Sequence, residues 1–156
     1  MTLACWKSLV TACATILTAP VMMGSTNLPP SFQQRILATH NQEHLELGLE
    51  PLSWNDALAR SAQQWADHLA ATNRFEHAPE NPLAPQGENL WAGTKGYFEP
   101  EAMVDAWVRE KRFFQPGVFP NNSTTGNVED VGHFTQIVWR ATTEVGCAEA
   151  TSTQED

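Results

Sequence analysis

The chain has 156 residues, 42% hydrophobic and 17% charged, enough for one domain with a buried core and incompatible with a disordered tail or two ordinary domains. Asp and Glu number 18 against 9 Lys and Arg, a formal net charge of −9. With no basic stripe to offset it, that charge excludes nucleic acid as a partner and gives anionic lipid no electrostatic hold.

Residues 1–25 read as a secretory signal peptide. Lys7 is a short positive region, and residues 8–23 are uncharged and rich in Leu, Val, Ala and Ile. The run is too short to span a bilayer comfortably, so no transmembrane anchor remains once the signal is removed. Val10-Thr11-Ala12-Cys13 has the form of a lipoprotein box, but most of the apolar run follows Cys13, so lipidation is set aside. Loss of Cys5 and Cys13 with the signal leaves Cys147 alone, which implies an intermolecular bond, a free thiol or a missing partner.

A first helix is expected from Ser31 to about residue 47. Ser31 and Gln34 have capping-box spacing, and Gly48 supplies the stop. Ser53 and Asp56 signal a second start. Leu58, Ala62, Trp65, Ala66 and Leu69 then recur at helical spacing through residues 55–72, and Asn73 ends the run. Residues 78–86 are a proline-rich loop and residues 87–92 a short strand. Pro100 opens a third helix with Met103, Trp107, Glu110 and Phe114 along one line. After a long loop over residues 115–130, a short helix at 132–139 and a strand at 143–151 complete the pattern.

The stretch Gly132-His133-Phe134-Thr135-Gln136-Ile137-Val138-Trp139-Arg140-Ala141-Thr142 closely resembles the first signature of the CAP superfamily of cysteine-rich secretory, antigen 5 and pathogenesis-related proteins. His40-Asn41, Gly87-Glu88-Asn89-Leu90 and Val145-Gly146-Cys147-Ala148 agree with it in the family's order. The resemblance covers roughly residues 31–151. It implies an α+β domain, a three-layer α-β-α sandwich, over residues 31–156. The family's second signature, a further strand carrying a Cys, is absent after residue 151, so the domain is expected to be incomplete at its C-terminus. The missing strand would pair with residues 143–151 and partner Cys147; without it the sheet should carry an open edge.

The resemblance also places the family's cavity tetrad on His77, Glu88, Glu110 and His133. Two imidazoles and two carboxylates suit zinc or another divalent cation. The residues support part of this independently. Glu110 shares a helical face with Met103 and Trp107, where an unpaired carboxylate would be costly. Taken singly, Glu88 and Glu110 read as ordinary salt-bridge or hydrogen-bonding residues and His77 as a surface residue, whereas His133, at a helix start, should stay neutral and suits a metal ligand. His40, His44 and His68 read as helix packing or surface. No catalytic residue is assigned, because no serine or cysteine nucleophile signature stands beside the tetrad.

Phe113, Phe114 and Phe119 cluster among prolines in the long loop, either lining a ligand site or packing beneath the loop. Asn121-Asn122-Ser123-Thr124 holds two overlapping glycosylation sequons, silent in a bacterial protein, which the scarcity of cysteines suggests. The expectation is a secreted or periplasmic protein that binds a small apolar ligand, a sterol or fatty acid, or an extracellular partner, beside a metal-capable cleft. A metal-dependent hydrolase and a purely structural or host-interaction module are the alternatives.

Overall fold

The computed structural model describes residues 1–8 and 29–152. Most of the apolar run assigned to the signal peptide, with Cys13 and the lipoprotein-like box, lies outside the described residues. Residues 1–8, at the start of that segment, are described. They form strand β1 (Thr2–Ser8), an inner strand of the sheet.

Helix α1 (Phe32–Glu46) starts at the expected capping box. The Gln34 amide donates to Ser31 Oγ at 3.2 Å, and the Ser31 amide to Gln34 Oε1 at 2.8 Å, so two otherwise orphaned donors are satisfied reciprocally. Gly48, at φ 65°, turns the chain out of the helix. Ser53 belongs to the two-residue strand β2 (Ser53–Trp54), and Asn55 caps α2 (Asp56–Thr72) in its place. The Asn55 side chain accepts from the amides of Ala57 and Leu58, and Asn73 closes the helix in the left-handed conformation at φ 51°.

Strand β3 (Gly87–Ala92) has the predicted bounds. Helix α3 (Pro100–Val108) tightens into a 3-10 segment over Arg109–Phe113. A second 3-10 turn, Val128–Val131, leads into α4 (Gly132–Ile137), and β4 (Glu144–Ala150) follows.

The sheet order is β2-β4-β1-β3. β1 runs antiparallel to both neighbours, and β2 parallel to β4. The family-type α-β-α sandwich follows from what covers each face. Cys5, Val145 and Cys147 point into a core shared with Ile36, Met103, Val104, Trp107, Phe134 and Ile137 of α1, α3 and α4. Ala4, Leu90 and Ala148 face Ala62, Ala66 and Leu69 of α2. Small residues on that second face let α2 lie close. At Gly146 a Cβ would sit 2.3 Å from the Ala59 nitrogen, so only glycine fits.

Two sequence expectations change here. The edge of β4 is paired along its length, Thr2 opposite Ala150 through Ser8 opposite Glu144. Cys147 is not alone, because the register sets Cys5 directly opposite and the two form a disulfide across 142 residues of sequence. The place beside β4 that the sequence pattern reserved for a C-terminal strand is taken by β1.

Charged clamps fix the helical layer. Arg35 of α1 bonds Glu99 and Glu101 at the start of α3; these bonds raise the guanidinium's already high pKa and hold Glu101 below the ordinary carboxylate range. Lys111 reaches Glu43 and Glu46 of α1. Desolvation pushes Lys111 down, but the two carboxylates together outweigh it and raise it, while Lys111 and then Gln42 lower Glu46.

Candidate functional site: two His–Glu pairs and an aromatic cavity

The Gly-Glu-Asn-Leu strand organises the polar centre. A Cβ on Gly87 would lie 2.0 Å from Gln136 Nε2, so glycine there admits the Gln136 side chain from α4. Glu88 Oε1 lies 2.6 Å from His77 Nδ1 and accepts the Ala78 amide at 3.1 Å. Buried Asn89 donates to the His133 carbonyl at 3.1 Å. The Leu90 carbonyl accepts the Trp107 indole N–H at 2.9 Å. Four consecutive residues thus bind four different parts of the centre.

Glu110, in the 3-10 extension of α3, forms the second pair. Its Oε1 lies 2.6 Å from His133 Nδ1, and its Oε2 accepts the Phe134 amide at 3.1 Å. One carboxylate therefore orients the imidazole and satisfies an amide at the start of α4. The Trp107 ring lies parallel to His133, 6.3 Å between centroids and 7° between planes. The acid predicted to need a partner is half-buried and has two.

His77, Glu88, Glu110 and His133 are thus brought into two hydrogen-bonded pairs, tied through the neighbouring residues Glu88 and Asn89. Among the described residues no three His, Cys, Asp or Glu side chains are grouped to hold a metal ion. The donor types suit zinc; the arrangement is two couples, not one shell. In each couple Nδ1 faces a carboxylate, which leaves Nε2 as the available lone pair.

The other histidines take packing roles. His40 and His44 are buried in α1. His40 Nδ1 lies 2.8 Å from the Ile36 carbonyl, and His44 sits between the carbonyls of Glu50 and Ile137. Asn41 exchanges two hydrogen bonds with the Leu52 backbone.

The three phenylalanines separate. Phe113 lies under the Arg112 guanidinium, 4.6 Å from its ring centroid, and does not line the cavity. Phe114 packs edge-on against buried Phe134 at 5.1 Å, and Phe119 meets Trp139 edge-on at 5.9 Å while remaining 54% exposed. Phe114 and Phe119 line a cavity of about 410 Å³ with Leu47, Leu49, Val138 and Trp139. Asn122 and Arg140 also line it. Asn122 donates to Thr135 Oγ1 at 2.7 Å, while its own Oδ1 is buried without a partner among the described residues. Burial of Asn122 leaves Asn121 as the accessible sequon position. Sequence reasoning missed the contributions of Leu47, Asn122 and Arg140, which no local pattern relates to the phenylalanines.

A family model described as "Cysteine-rich secretory protein family" matches residues 37–156. The chain is 35% identical over 116 residues to pathogenesis-related protein 1A of Nicotiana tabacum, covering 74% of this chain and 64% of that protein. It is 38% identical over 118 residues to pathogenesis-related protein PR-1 of Medicago truncatula, covering 76% and 64%. With pathogenesis-related protein PRMS of Zea mays the identity is 33% over 133 residues, covering 82% and 75%. The match spans just under two thirds of the tobacco and Medicago proteins. No helix among the described residues is long and apolar enough to cross a membrane.

Proposed function

The chain belongs to the cysteine-rich secretory protein family, and on that premise we propose that it is an extracellular protein that captures a small apolar ligand beneath Phe119. The observation that carries this reading is the cavity of about 410 Å³ walled by Leu47, Leu49, Phe114, Phe119, Val138 and Trp139. A pocket of that size and lining suits a fatty acyl chain or sterol. Arg140, with no ion-pair partner among the described residues, sits at its lining for a carboxylate, which favours the fatty acid. The Cys5–Cys147 disulfide supports an oxidising compartment.

Binding of a fluorescent fatty acid tests the reading. Phe119→Ala should weaken uptake by about tenfold or more while costing the fold little, since half of that ring is already in water. Arg140→Ala should weaken the acid and spare the corresponding alcohol. Uptake that follows only the folded fraction in every variant overturns the proposal.

A divalent cation is the second reading, supported by the carboxylate–histidine couples. Bound, it would supply Lewis acidity and a positive charge, and Nε2 of His77 or of His133 would hold it. Zinc titration by calorimetry should give heat that the His77→Ala/His133→Ala double variant loses. Equal heat in the double variant would put the metal elsewhere.

A further inference from the structure

A second cavity, of about 520 Å³, lies between α2 and the loop of residues 78–86. Ser61, Trp65 and His68 line it from α2, four and three residues apart and therefore on one helical face. The Trp65 and His68 rings stack at 4.7 Å and 19°. The indole is also pinned, because its N–H donates to the Glu76 carbonyl at 3.1 Å. An aromatic wall is thus held in place beside the opening.

Glu88 lines the same cavity, with its side chain only 8% exposed. Its Oε1 is committed to His77 and Ala78, while Oε2 is buried with no hydrogen-bond partner among the described residues. A buried carboxylate oxygen with no donor is costly and needs one. Glu80 adds a second acid to the lining, and no Lys or Arg is among the lining residues.

We propose that this cavity binds an organic cation, a guanidinium or primary ammonium group, with Glu88 Oε2 accepting its hydrogen bond and the Trp65 face supporting its charge. Free polyamines and basic side chains of a peptide present the same group. The site is separate from the apolar cavity and independent of the apolar-ligand reading; it shares Glu88 with the His77 couple of the divalent-cation reading.

The test uses agmatine and a capped Gly-Arg-Gly peptide, each titrated into the full chain with a chelator present so that metal binding contributes nothing. The readout is the Trp65 indole N–H resonance. Both probes should shift it, and higher salt should weaken both. A peptide that binds about tenfold tighter than agmatine identifies a peptide as the source; equal affinities identify a free amine.

Glu88→Gln should weaken binding by about tenfold or more. Because that change also touches His77, Gln64→Lys is the second variant. It puts a competing cation on the cavity lining from an exposed helix position and should abolish binding with an unchanged thermal midpoint. No shift of the Trp65 resonance by either probe, or equal binding in wild type and Gln64→Lys, overturns the proposal.

Discussion

The polar centre and the aromatic cavity adjoin each other and are built on opposite principles. In the centre each side chain has a directional partner: His77 with Glu88, His133 with Glu110, Asn89 with the His133 carbonyl, Trp107 with the Leu90 carbonyl. Around the cavity the contacts are mostly ring edges and aliphatic surfaces, with a hydrogen bond, from Asn122 to Thr135, in the lining. Directional bonds tolerate little displacement, whereas apolar contacts can slide and refill. The first region is suited to holding groups in register and the second to admitting a guest of variable shape.

Phe134 joins the two. Its amide binds Glu110 and its fully buried ring packs on Phe114. Phe134→Ala should therefore destabilise by about 3–5 kcal/mol in urea unfolding and disturb both regions at once. A loss confined to one of them would show that they are not mechanically joined.

Cys5→Ser should cost about 2–5 kcal/mol, and its damage should be one-sided. β1 sets Cys5 opposite Asn89 and Trp6 opposite Glu88, so the polar centre is built directly on this strand, whereas the aromatic cavity meets it only through the core that Cys5 shares with Phe134, Ile137 and Val138. Amide exchange should rise at residues 87–90 before it rises at residues 134–139. The reverse order would break the distinction.

The smallest effect is acid sensitivity. Glu46 and Glu101 have folded-state pKa values lowered by Lys111 and Arg35 respectively. Their stabilisation is therefore present above the ordinary carboxylate pKa and lost as pH falls through the lowered values. Both side chains are largely solvated, so the loss should be slight. Below the ordinary carboxylate range, wild-type stability should fall more steeply than that of Glu46→Gln/Glu101→Gln. Parallel slopes would mean that the clamps contribute nothing to the helical layer.

What the sequence disclosed follows the same division. Ser31 with Gln34, Pro100, and Asn73 mark helix ends through local chemistry, and Gly87 to Leu90 reads as a strand because each residue has a motif role. Asn55 displaced Ser53 as a cap because β2 pairs with β4 through Ser53 and Trp54, a tertiary demand that local spacing does not carry. β1 was illegible for a different reason. The sheet is covered on both faces, so Ala4 and Cys5 are both buried and no polar alternation marks the strand. Lys7 followed by an uncharged run then has the composition of a leader. The cavity was hidden because Leu47, Phe114 and Trp139 come from three separate element ends.

The pairing of β1 with β4 also governs the order of assembly. β1 pairs with β3 (Gly87–Ala92) on one side and with β4 (Glu144–Ala150) on the other, the latter 142 residues away at Cys5–Cys147. The β3 side can pair as soon as residues 87–92 are made, whereas the β4 side stays open until residues 144–150 are available. Pairings this distant in sequence carry the loop-closure entropy that slows folding. The helices that cover the sheet can form locally, whereas the sheet itself closes last, when the two ends of the described fold meet at Cys5 and Cys147.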